Sequence, residues 1–214
     1  MNNTASGLAP GSDGRMRCAW CVGDPLYEHY HDTEWGRPVS EDRRLFEKAC
    51  LEGFQSGLSW LTILRKRENF RAAFDGFDIR TVSRFGDHDI ERLLQDAGIV
   101  RHRGKIEAAI SNAERALDLQ RELGSLAAFF WSHEPPASAR LDPVTWSWIT
   151  ANPTTAESTT VSKALKTRGW RFVGPTTMYA LFQAMGVVND HVEGCAFRQE
   201  VEDERRAFER PVRA

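Results

Sequence analysis

Apolar side chains recur at helical spacing in nearly every segment between residues 40 and 186 of this 214-residue chain. The longest such segment runs from Arg103 to Leu123 and puts Ile106, Ile110, Ala113 and Leu117 on one face. No segment alternates apolar and polar residues for long enough to indicate a sheet. The sequence therefore predicts an all-α fold.

Capping residues and helix-stopping glycines mark the boundaries of the other predicted helices. Ser40 can cap a helix to about Phe54, and Ser59 can cap another to about Phe74. Four further helices are predicted: one from Asp87 stopped by Gly98, Leu126 to Trp131, Thr160 to Thr167 ended by Gly169, and one from Pro175 to just before Gly186. Residues 132–158 hold four of the nine prolines, so an irregular segment is expected there.

The two ends of the chain differ from its middle in composition. Residues 1–16 are rich in Asn, Ser, Gly and Pro without periodicity, which predicts a disordered lead. Residues 198–214 carry five arginines and five acidic residues, as expected of a solvated helix or a loose tail. Residues 17–197 are predicted to form one unit.

Charge and composition exclude several classes of protein. The formal net charge of −2 excludes a strongly basic, nonspecific binder of nucleic acid, although a local basic face remains open. The longest apolar run, Leu126 to Trp131, is far shorter than the roughly 20 residues of a membrane-spanning helix. Four cysteines are too few for a disulfide scaffold, and the first residues lack a secretory pattern. We therefore expect a cytoplasmic protein with reduced thiols.

A glycine-containing turn with basic residues before it lies between the last two predicted helices. The turn is Phe172 to Thr176, and the helix that starts at Pro175 leaves backbone N–H groups free beyond Gly174. Such donors suit a phosphate, which is typical of a helix-hairpin-helix that grips DNA near residues 161–186. The nearby cations are Lys163, Lys166, Arg168 and Arg171. An ordinary connection between packed helices explains the turn equally well, and the basic turn from Gly98 to Lys105 is no more specific.

Thiols and imidazoles at both ends of the chain are candidate metal ligands. Cys18 and Cys21 form a C-x-x-C pair, which suits a redox site or half of a zinc site. His191 and Cys195 are four residues apart and would face the same side of a helix. His29 and His31 follow the first cysteines. The alternative is that the cysteines are small buried residues and the histidines surface residues.

Aromatic residues surround an acidic residue in the first half of the chain. Glu52 lies near the end of an apolar helix face, where a carboxylate is costly unless it is paired or used. The aromatic residues are Trp20, Tyr27, Tyr30, Trp35 and Trp60. An aromatic box with one acid suits a flat cation. The alternative is an exposed glutamate beside tryptophans that fill the core.

Several long motifs resemble the DNA-3-methyladenine glycosylase I family, in order from Cys18 to Cys195. They are Cys18-Ala19-Trp20, Asp24 to Tyr27, Tyr30 to Gly36, Leu51 to Gly53, Gly57 to Trp60, Lys66 to Phe70, Asp96 to Ile99, Arg101 to Ile106, Ser162 to Lys166, Phe172 to Gly174, Val188 to Val192 and Gly194-Cys195.

The resemblance implies a helix-hairpin-helix DNA glycosylase fold of two helical lobes and assigns roles to the candidate residues. It places one structural zinc ion on Cys18, His31, His191 and Cys195, tying the N- and C-terminal segments and leaving Cys21 outside. Glu52 becomes the base-recognition carboxylate, and Trp20, Tyr30 and Trp60 become the pocket, with Tyr27 and Trp35 nearby. Gln55, Gly57 and Leu58 fall in the loop that fills the gap left by the extruded nucleotide, and Lys163, Lys166, Gly174 and Thr176 fall on the DNA-binding hairpin.

The activity implied is removal of 3-methyladenine from double-stranded alkylated DNA by a monomer, without strand cleavage. The alternative is a zinc-stapled DNA-binding or damage-sensing module without turnover. Asp190 lies where relatives in the superfamily carry a catalytic aspartate, and a structural role is the favoured expectation for it. Phe54 departs from the family, in which that position is often polar, and its effect on the fit of the loop against DNA is left open by the sequence.

Overall fold

The computed structural model describes residues 6–212, and these residues are mostly helical, as predicted. The elements are β1 Leu8–Pro10, β2 Met16–Cys18, α1 Pro25–Thr33, α2 Asp42–Gln55, α3 Trp60–Arg65, α4 Arg67–Ala73, α5 Ile79–Val82, α6 Asp87–Gln95, α7 Arg103–Leu123, α8 Leu126–Trp131, α9 Trp146–Ala151, α10 Ala156–Thr167, α11 Pro175–Ala184 and α12 Arg198–Ala207. Short 3₁₀ turns occur at Ala19–Cys21, Asp75–Phe77 and Ala137–Ala139. No helix in the described part of the chain is long and apolar enough to cross a membrane.

Helix α2 lies at the centre of the molecule. Its residues from Leu45 to Phe54 are all buried, and it packs against α3, α7, α8 and α11. A helix that is covered on every side also buries its polar residues, and here Lys48 and Glu52 are each only 5% exposed. The central helix therefore carries charges of both signs into the interior, since Glu47 is buried on it as well.

The predicted boundaries hold best where the capping signal is local. Helices α7 and α8 begin and end as predicted, with His102 and Ser125 accepting hydrogen bonds from backbone N–H groups at their starts. The single helix predicted after Ser59 is instead two helices, α3 and α4, separated at Lys66. Helix α1 was not predicted, and α9 and the start of α10 lie in the segment expected to be irregular.

The turn between α10 and α11 differs in detail from the prediction. The left-handed residues of this connection are Gly169 and Phe172, with φ of 85° and 55°. Gly174 has φ of −61°, which any residue can adopt, so it is not the residue that permits the tight turn. Helices α10 and α11 pack directly against each other on either side of this connection.

The N-terminal lead differs from the disordered segment that was expected, as far as the described residues go. Strands β1 and β2 pair antiparallel, with Leu8 opposite Cys18. The buried Arg17 guanidinium bonds Asp13 at 2.6 Å within the hairpin and Asp32 of α1 at 2.8 Å. These contacts are not encoded in periodicity, and three-residue strands are too short to show alternation. Residues 1–5 lie outside the described residues.

The C-terminal segment packs on the core. Its helix α12 buries Arg205, whose guanidinium donates to Glu134 at 2.8 Å and to the backbone carbonyl of Gly186. Beyond the helix, the Phe208 ring lies 4.6 Å from that of Trp131, and Arg210 also donates to Glu134. The charged composition thus corresponds to a helix tied down by ion pairs. The division of the remaining chain into two lobes stays a prediction.

Candidate functional site

A cavity of about 210 Å³ opens between α1, α2, α3, α9 and α11. It is lined by Trp20, Tyr27, Tyr30, Trp35, Lys48, Glu52, Gln55, Trp60, Trp146, Ile149, Ala180, Gln183 and Asp190. The cavity thus contains Glu52 and all five aromatic residues that the sequence singled out. Its size suits one small planar molecule rather than a polymer segment.

Local structure explains how α1 presents its aromatic residues to the cavity. The Asp24 carboxylate accepts hydrogen bonds from the N–H groups of Leu26 and Tyr27, which starts the helix before Pro25. Tyr27 and Tyr30 are three residues apart and therefore share one face of α1. Lys48 and Glu52, four residues apart on α2, share a face in the same way and point into the cavity from the opposite side.

The aromatic rings contact one another around the cavity. The Trp20 ring lies 4.9 Å from the Tyr27 ring and 5.0 Å from the Trp35 ring, measured between centroids. The Tyr30 and Trp60 rings, also in the lining, lie 5.5 Å apart at a tilted angle. Such an arrangement offers both ring faces and ring edges to a flat molecule, and Glu52, one of the two carboxyl groups in the lining, favours a positive charge.

Lys48 is a cavity residue that the sequence analysis missed. Its Nζ lies 2.7 Å from Glu52 Oε1 and 2.9 Å from the hydroxyl of Tyr30, and 3.1 Å from the centroid of the Trp60 ring. Burial lowers the pKa of Lys48 to about 8, against the opposing pull of Glu52. Its spacing of four residues from Glu52 places it on the same helix face, but the same spacing is common on exposed helices, so it does not identify a cavity residue by itself.

Asp190, in the segment after α11, also lines the cavity. Its Oδ2 accepts hydrogen bonds from the Tyr179 hydroxyl and from Gln183 Nε2, the latter at 2.8 Å. Burial raises the pKa of this carboxyl above its ordinary value. Trp146, Ile149 and Gln183 are further lining residues that the sequence did not indicate, because α9 and α11 reach the cavity only through tertiary packing.

A buried cluster of thiols and imidazoles lies behind the aromatic wall. The side-chain ligand atoms of Cys18, His31 and Cys195 all lie within 4.8 Å of one another. His191 is outside that set of three, but its ring centroid is 4.8 Å from that of His31. Its Nε2 is buried and has no hydrogen-bond partner among residues 6–212.

The histidines of the cluster are oriented by their neighbours. Nδ1 of His31 contacts Asp32 at 2.9 Å and Nδ1 of His191 contacts Asn189 at 3.0 Å. Nε2 of His31 therefore faces Cys195 Sγ, at 3.6 Å, and Nε2 of His191 is left for another partner. Burial holds the pKa of His191 well below its usual range, so this imidazole is neutral. The hydrogen bond from Cys18, followed by that from His31, lowers the pKa of Cys195 below its ordinary value. Thiol sulfurs beside imidazole nitrogens are a donor set that fits zinc.

One detail of the cluster corrects the sequence interpretation. His191 and Cys195 lie in a loop, not on a helix, and Gly194 with φ of 90° turns the chain between them. Cys21 is buried and donates to the backbone carbonyl of Cys18, and His29 is exposed. Neither belongs to the cluster, and all four cysteines have free thiols.

The loop between α2 and α3 forms an exposed ridge beside the cavity. Leu58 is 43% exposed, and Gly57 adopts φ of 83°. The buried Lys105 ammonium donates to the carbonyls of Phe54 and Ser56 at 2.9 and 2.7 Å, which fixes the start of the loop. The side chain of Phe54 points inward, 4.7 Å from the Phe70 ring, so it supports the loop from the core and does not itself face DNA.

The hairpin residues that were expected to contact DNA lie on the surface. Lys163, Lys166 and Thr176 are exposed, and Gly174 is half-buried at the start of α11. Arg168 is instead paired with Glu122 at 2.8 Å. The exposed N-terminus of α11, with cations on the preceding helix, is an arrangement that suits a phosphate.

Comparison with known proteins gives consistent results. The model of the family described as methyladenine glycosylase matches residues 20–199. DNA-3-methyladenine glycosylase 1 of Escherichia coli K12 is 50% identical over 182 residues, which covers 84% of this chain and 95% of that protein. DNA-3-methyladenine glycosylase of Haemophilus influenzae is 42% identical over 183 residues, covering 84% and 96%. The solved structure of 3-methyladenine DNA glycosylase I from Staphylococcus aureus, determined to explain 3-methyladenine recognition, superposes with a TM-score of 0.79 at 35% identity, covering 85% of this chain and 96% of that one.

Proposed function

Because this chain belongs to the methyladenine glycosylase family, we propose that it hydrolyses the N-glycosidic bond of 3-methyladenine in alkylated DNA, as a base-excision repair enzyme. The observation that carries the proposal is the buried carboxylate of Glu52 among the aromatic rings of a cavity large enough for one base. The curated relatives that are named DNA-3-methyladenine glycosylase match the chain over most of its length.

The chemistry of the lesion explains why such a cavity suffices. Methylation at N3 gives adenine a positive charge, which makes the base a good leaving group and weakens its bond to the sugar. The enzyme must extrude the nucleotide, at a cost of about a few kcal/mol. Stacking on Trp20 and Tyr30, with Glu52 accepting a hydrogen bond from the base, holds the charged base better than neutral adenine. Water then attacks the sugar as the bond breaks, and the strand is left intact.

Asp190 is best placed as a positioning residue in this mechanism. Tyr179 and Gln183 both donate to one of its oxygens, so the carboxylate holds the cavity-facing side of α11 in place. Relatives in the superfamily use an aspartate to support the sugar cation. The two donors and the deep burial support the structural role over the catalytic one.

Cys18, His31, His191 and Cys195 are proposed to hold one structural zinc ion. Two thiol sulfurs and two Nε2 atoms would complete a tetrahedral set, and the unpartnered Nε2 of His191 is the observation that supports the fourth ligand. Four protein ligands leave no open position for water, so the metal would stabilise the fold rather than take part in hydrolysis. It would tie the N-terminal hairpin to the segment after α11.

DNA would be held by two surfaces outside the cavity. Gln55, Gly57 and Leu58 form the exposed ridge that would enter the gap left by the extruded nucleotide. Lys163, Lys166 and the N-terminus of α11, with Gly174 and Thr176, would contact phosphates as a helix-hairpin-helix. The partner is double-stranded DNA, and the enzyme is proposed to act as a monomer.

Base release from methylated DNA tests this function. Purified protein is incubated with methylated DNA and the freed bases are identified by chromatography, with Glu52→Ala alongside. We expect release of 3-methyladenine but not 7-methylguanine, and loss or strong weakening of release in the variant. The absence of release by folded, zinc-loaded protein would instead support a DNA-binding module without turnover.

A further inference from the structure

The cavity contains a cation that belongs to the chain itself. The Lys48 ammonium lies over the face of Trp60, 3.1 Å from the ring centroid, and 2.7 Å from Glu52. These two contacts are the ones that an aromatic box with an acid offers to a positively charged ligand. The Lys48 ammonium therefore occupies the position in the cavity that a positively charged ligand would take.

Geometry keeps the ammonium in this position. Lys48 extends from α2, the central helix, is 5% exposed and lines the cavity. The hydroxyl of Tyr30 accepts a third contact at 2.9 Å. A charged base that stacks on Trp60 and reaches Glu52 must displace the ammonium or bind beside a like charge.

We propose that Lys48 is a specificity-determining residue, whose ammonium competes with the methylated base for Trp60 and Glu52 and so sets how strongly the pocket selects for charge. This proposal rests on the proposed function, since it assumes that the cavity receives the extruded base. It predicts that the preference for a cationic over a neutral base rises whenever the charge of Lys48 is removed.

The charged surroundings of Lys48 allow its proton to be lost near neutral pH. Glu52 on its own helix and Glu34 at the end of α1 favour the ammonium, and Arg67 of α4 opposes it. Tyr30 is the other titratable group in contact, and burial raises its pKa well above the ordinary value, so it stays neutral. Burial of Lys48 outweighs the acids and brings its pKa to about 8. Competition by the ammonium should therefore fade between pH 7 and 9.

The test compares two small probes that differ in charge. The fixed cation 3,9-dimethyladeninium and the neutral 9-methyladenine are titrated calorimetrically into wild type and Lys48→Met at pH 7 and pH 9. We expect the ratio of cation affinity to neutral affinity to be about tenfold higher in the variant than in wild type at pH 7, because one close cation is removed. In wild type the ratio should rise by a similar factor from pH 7 to pH 9, and in the variant it should not change.

Lys66→Met is the matched control, because it removes the same charge from a lysine that bonds the carbonyls of Ala97 and Gly98 away from the cavity. Its ratio should equal that of wild type. An unchanged or lower ratio in folded Lys48→Met would show that Lys48 merely pairs with Glu52. If that variant does not fold, a wild-type ratio that is flat from pH 7 to 9 overturns the proposal by itself. Base release from methylated DNA by wild type is measured separately, so failure of the enzymatic function is not confused with failure of this inference.

Discussion

The indole of Trp20 meets the imidazole of His31 edge-on, with 5.3 Å between the ring centroids. Trp20 lines the cavity and His31 belongs to the buried thiol and imidazole cluster, so one contact joins the two sites. The ring of Trp35 makes a second such contact with His191 at 4.7 Å. The wall of the cavity and the junction of the chain's two ends are therefore parts of one packed unit.

Replacing Cys195 by alanine should remove the metal and destabilise the fold. A structural zinc site contributes several kcal/mol, and each kcal/mol shifts the Tm of a domain this size by about 2–4 °C, so we expect a loss of roughly 10 °C. Calorimetry and metal analysis of the purified protein measure both effects. Cys50→Ala is the control, because this buried cysteine is outside the cluster, and it should retain zinc. Equal melting temperatures for wild type and Cys195→Ala would refute the zinc assignment.

Glu52→Gln should keep the fold and DNA binding but weaken the binding of free 3-methyladenine about 10- to 100-fold, because a buried acceptor becomes an amide that can no longer carry charge. Titration calorimetry with the free base measures the loss. Glu47→Gln serves as the matched control, since this residue is also on α2 but pairs with Arg71 outside the cavity. An unchanged affinity of Glu52→Gln for free 3-methyladenine would show that Glu52 does not take part in base recognition.

Lys105→Met should loosen the loop that carries Leu58. The ammonium holds the carbonyls of Phe54 and Ser56, and leaving them unbonded costs about 1–3 kcal/mol each when they are buried. We expect weaker binding to lesion-containing DNA with the affinity for free 3-methyladenine unchanged. Fluorescence anisotropy and calorimetry give the two affinities. Equal losses of affinity for lesion-containing DNA and for free 3-methyladenine would mean that Lys105 supports the cavity rather than the loop.

The double substitution of Lys163 and Lys166 by alanine should weaken DNA binding at low salt. Each phosphate contact contributes about 0.9 to the slope of log affinity against log salt, so the slope should fall by about 1.8 if both lysines contact phosphates. Binding titrations measure this slope between roughly 50 and 200 mM salt, the range in which DNA affinity depends strongly on salt. Arg206→Ala, an exposed charge on α12, should leave the slope unchanged.

Lys48 should make stability depend on pH above neutrality. Its pKa is about 8 in the folded protein against an ordinary 10.5, so between these values the unfolded chain binds more protons and stability rises with pH. The full difference between the two pKa values corresponds to about 3 kcal/mol in the free energy of unfolding. Denaturant unfolding of wild type and Lys48→Met at pH 7, 8, 9 and 10 should show a difference that grows with pH in favour of wild type. A constant difference would contradict the lowered pKa.

The sequence predicted those parts of the fold that depend on local signals. Helix α7 has a cap at His102 and a left-handed glycine at Gly124, and both boundaries follow from these residues. The N-terminal hairpin could not be predicted in this way, because Arg17 is held by Asp32 of a different element. The packing of α12 likewise depends on Glu134, which is far away in sequence.

The residues of the candidate site also divide into those that the sequence reveals and those that only tertiary packing reveals. Glu52 and the aromatic residues could be singled out from their types and from the family resemblance, because their chemistry is unusual for a core. Lys48 was missed because a lysine four residues from a glutamate is the common pattern of an exposed helix face. Only the burial of α2 on every side turns that pair into part of a cavity.

The contact of residues 18–35 with residues 191–197 has a consequence for how the protein is made. His191, Cys195 and Phe197 stand behind the wall that Trp20 and Trp35 present to the cavity, and Phe197 lies 5.5 Å from His31. A ribosome synthesises the wall first and its support more than 150 residues later. A nascent chain that stalls before residue 191 can form the central helix but not a finished pocket, so damaged-base recognition arises only once the chain has emerged through residue 197.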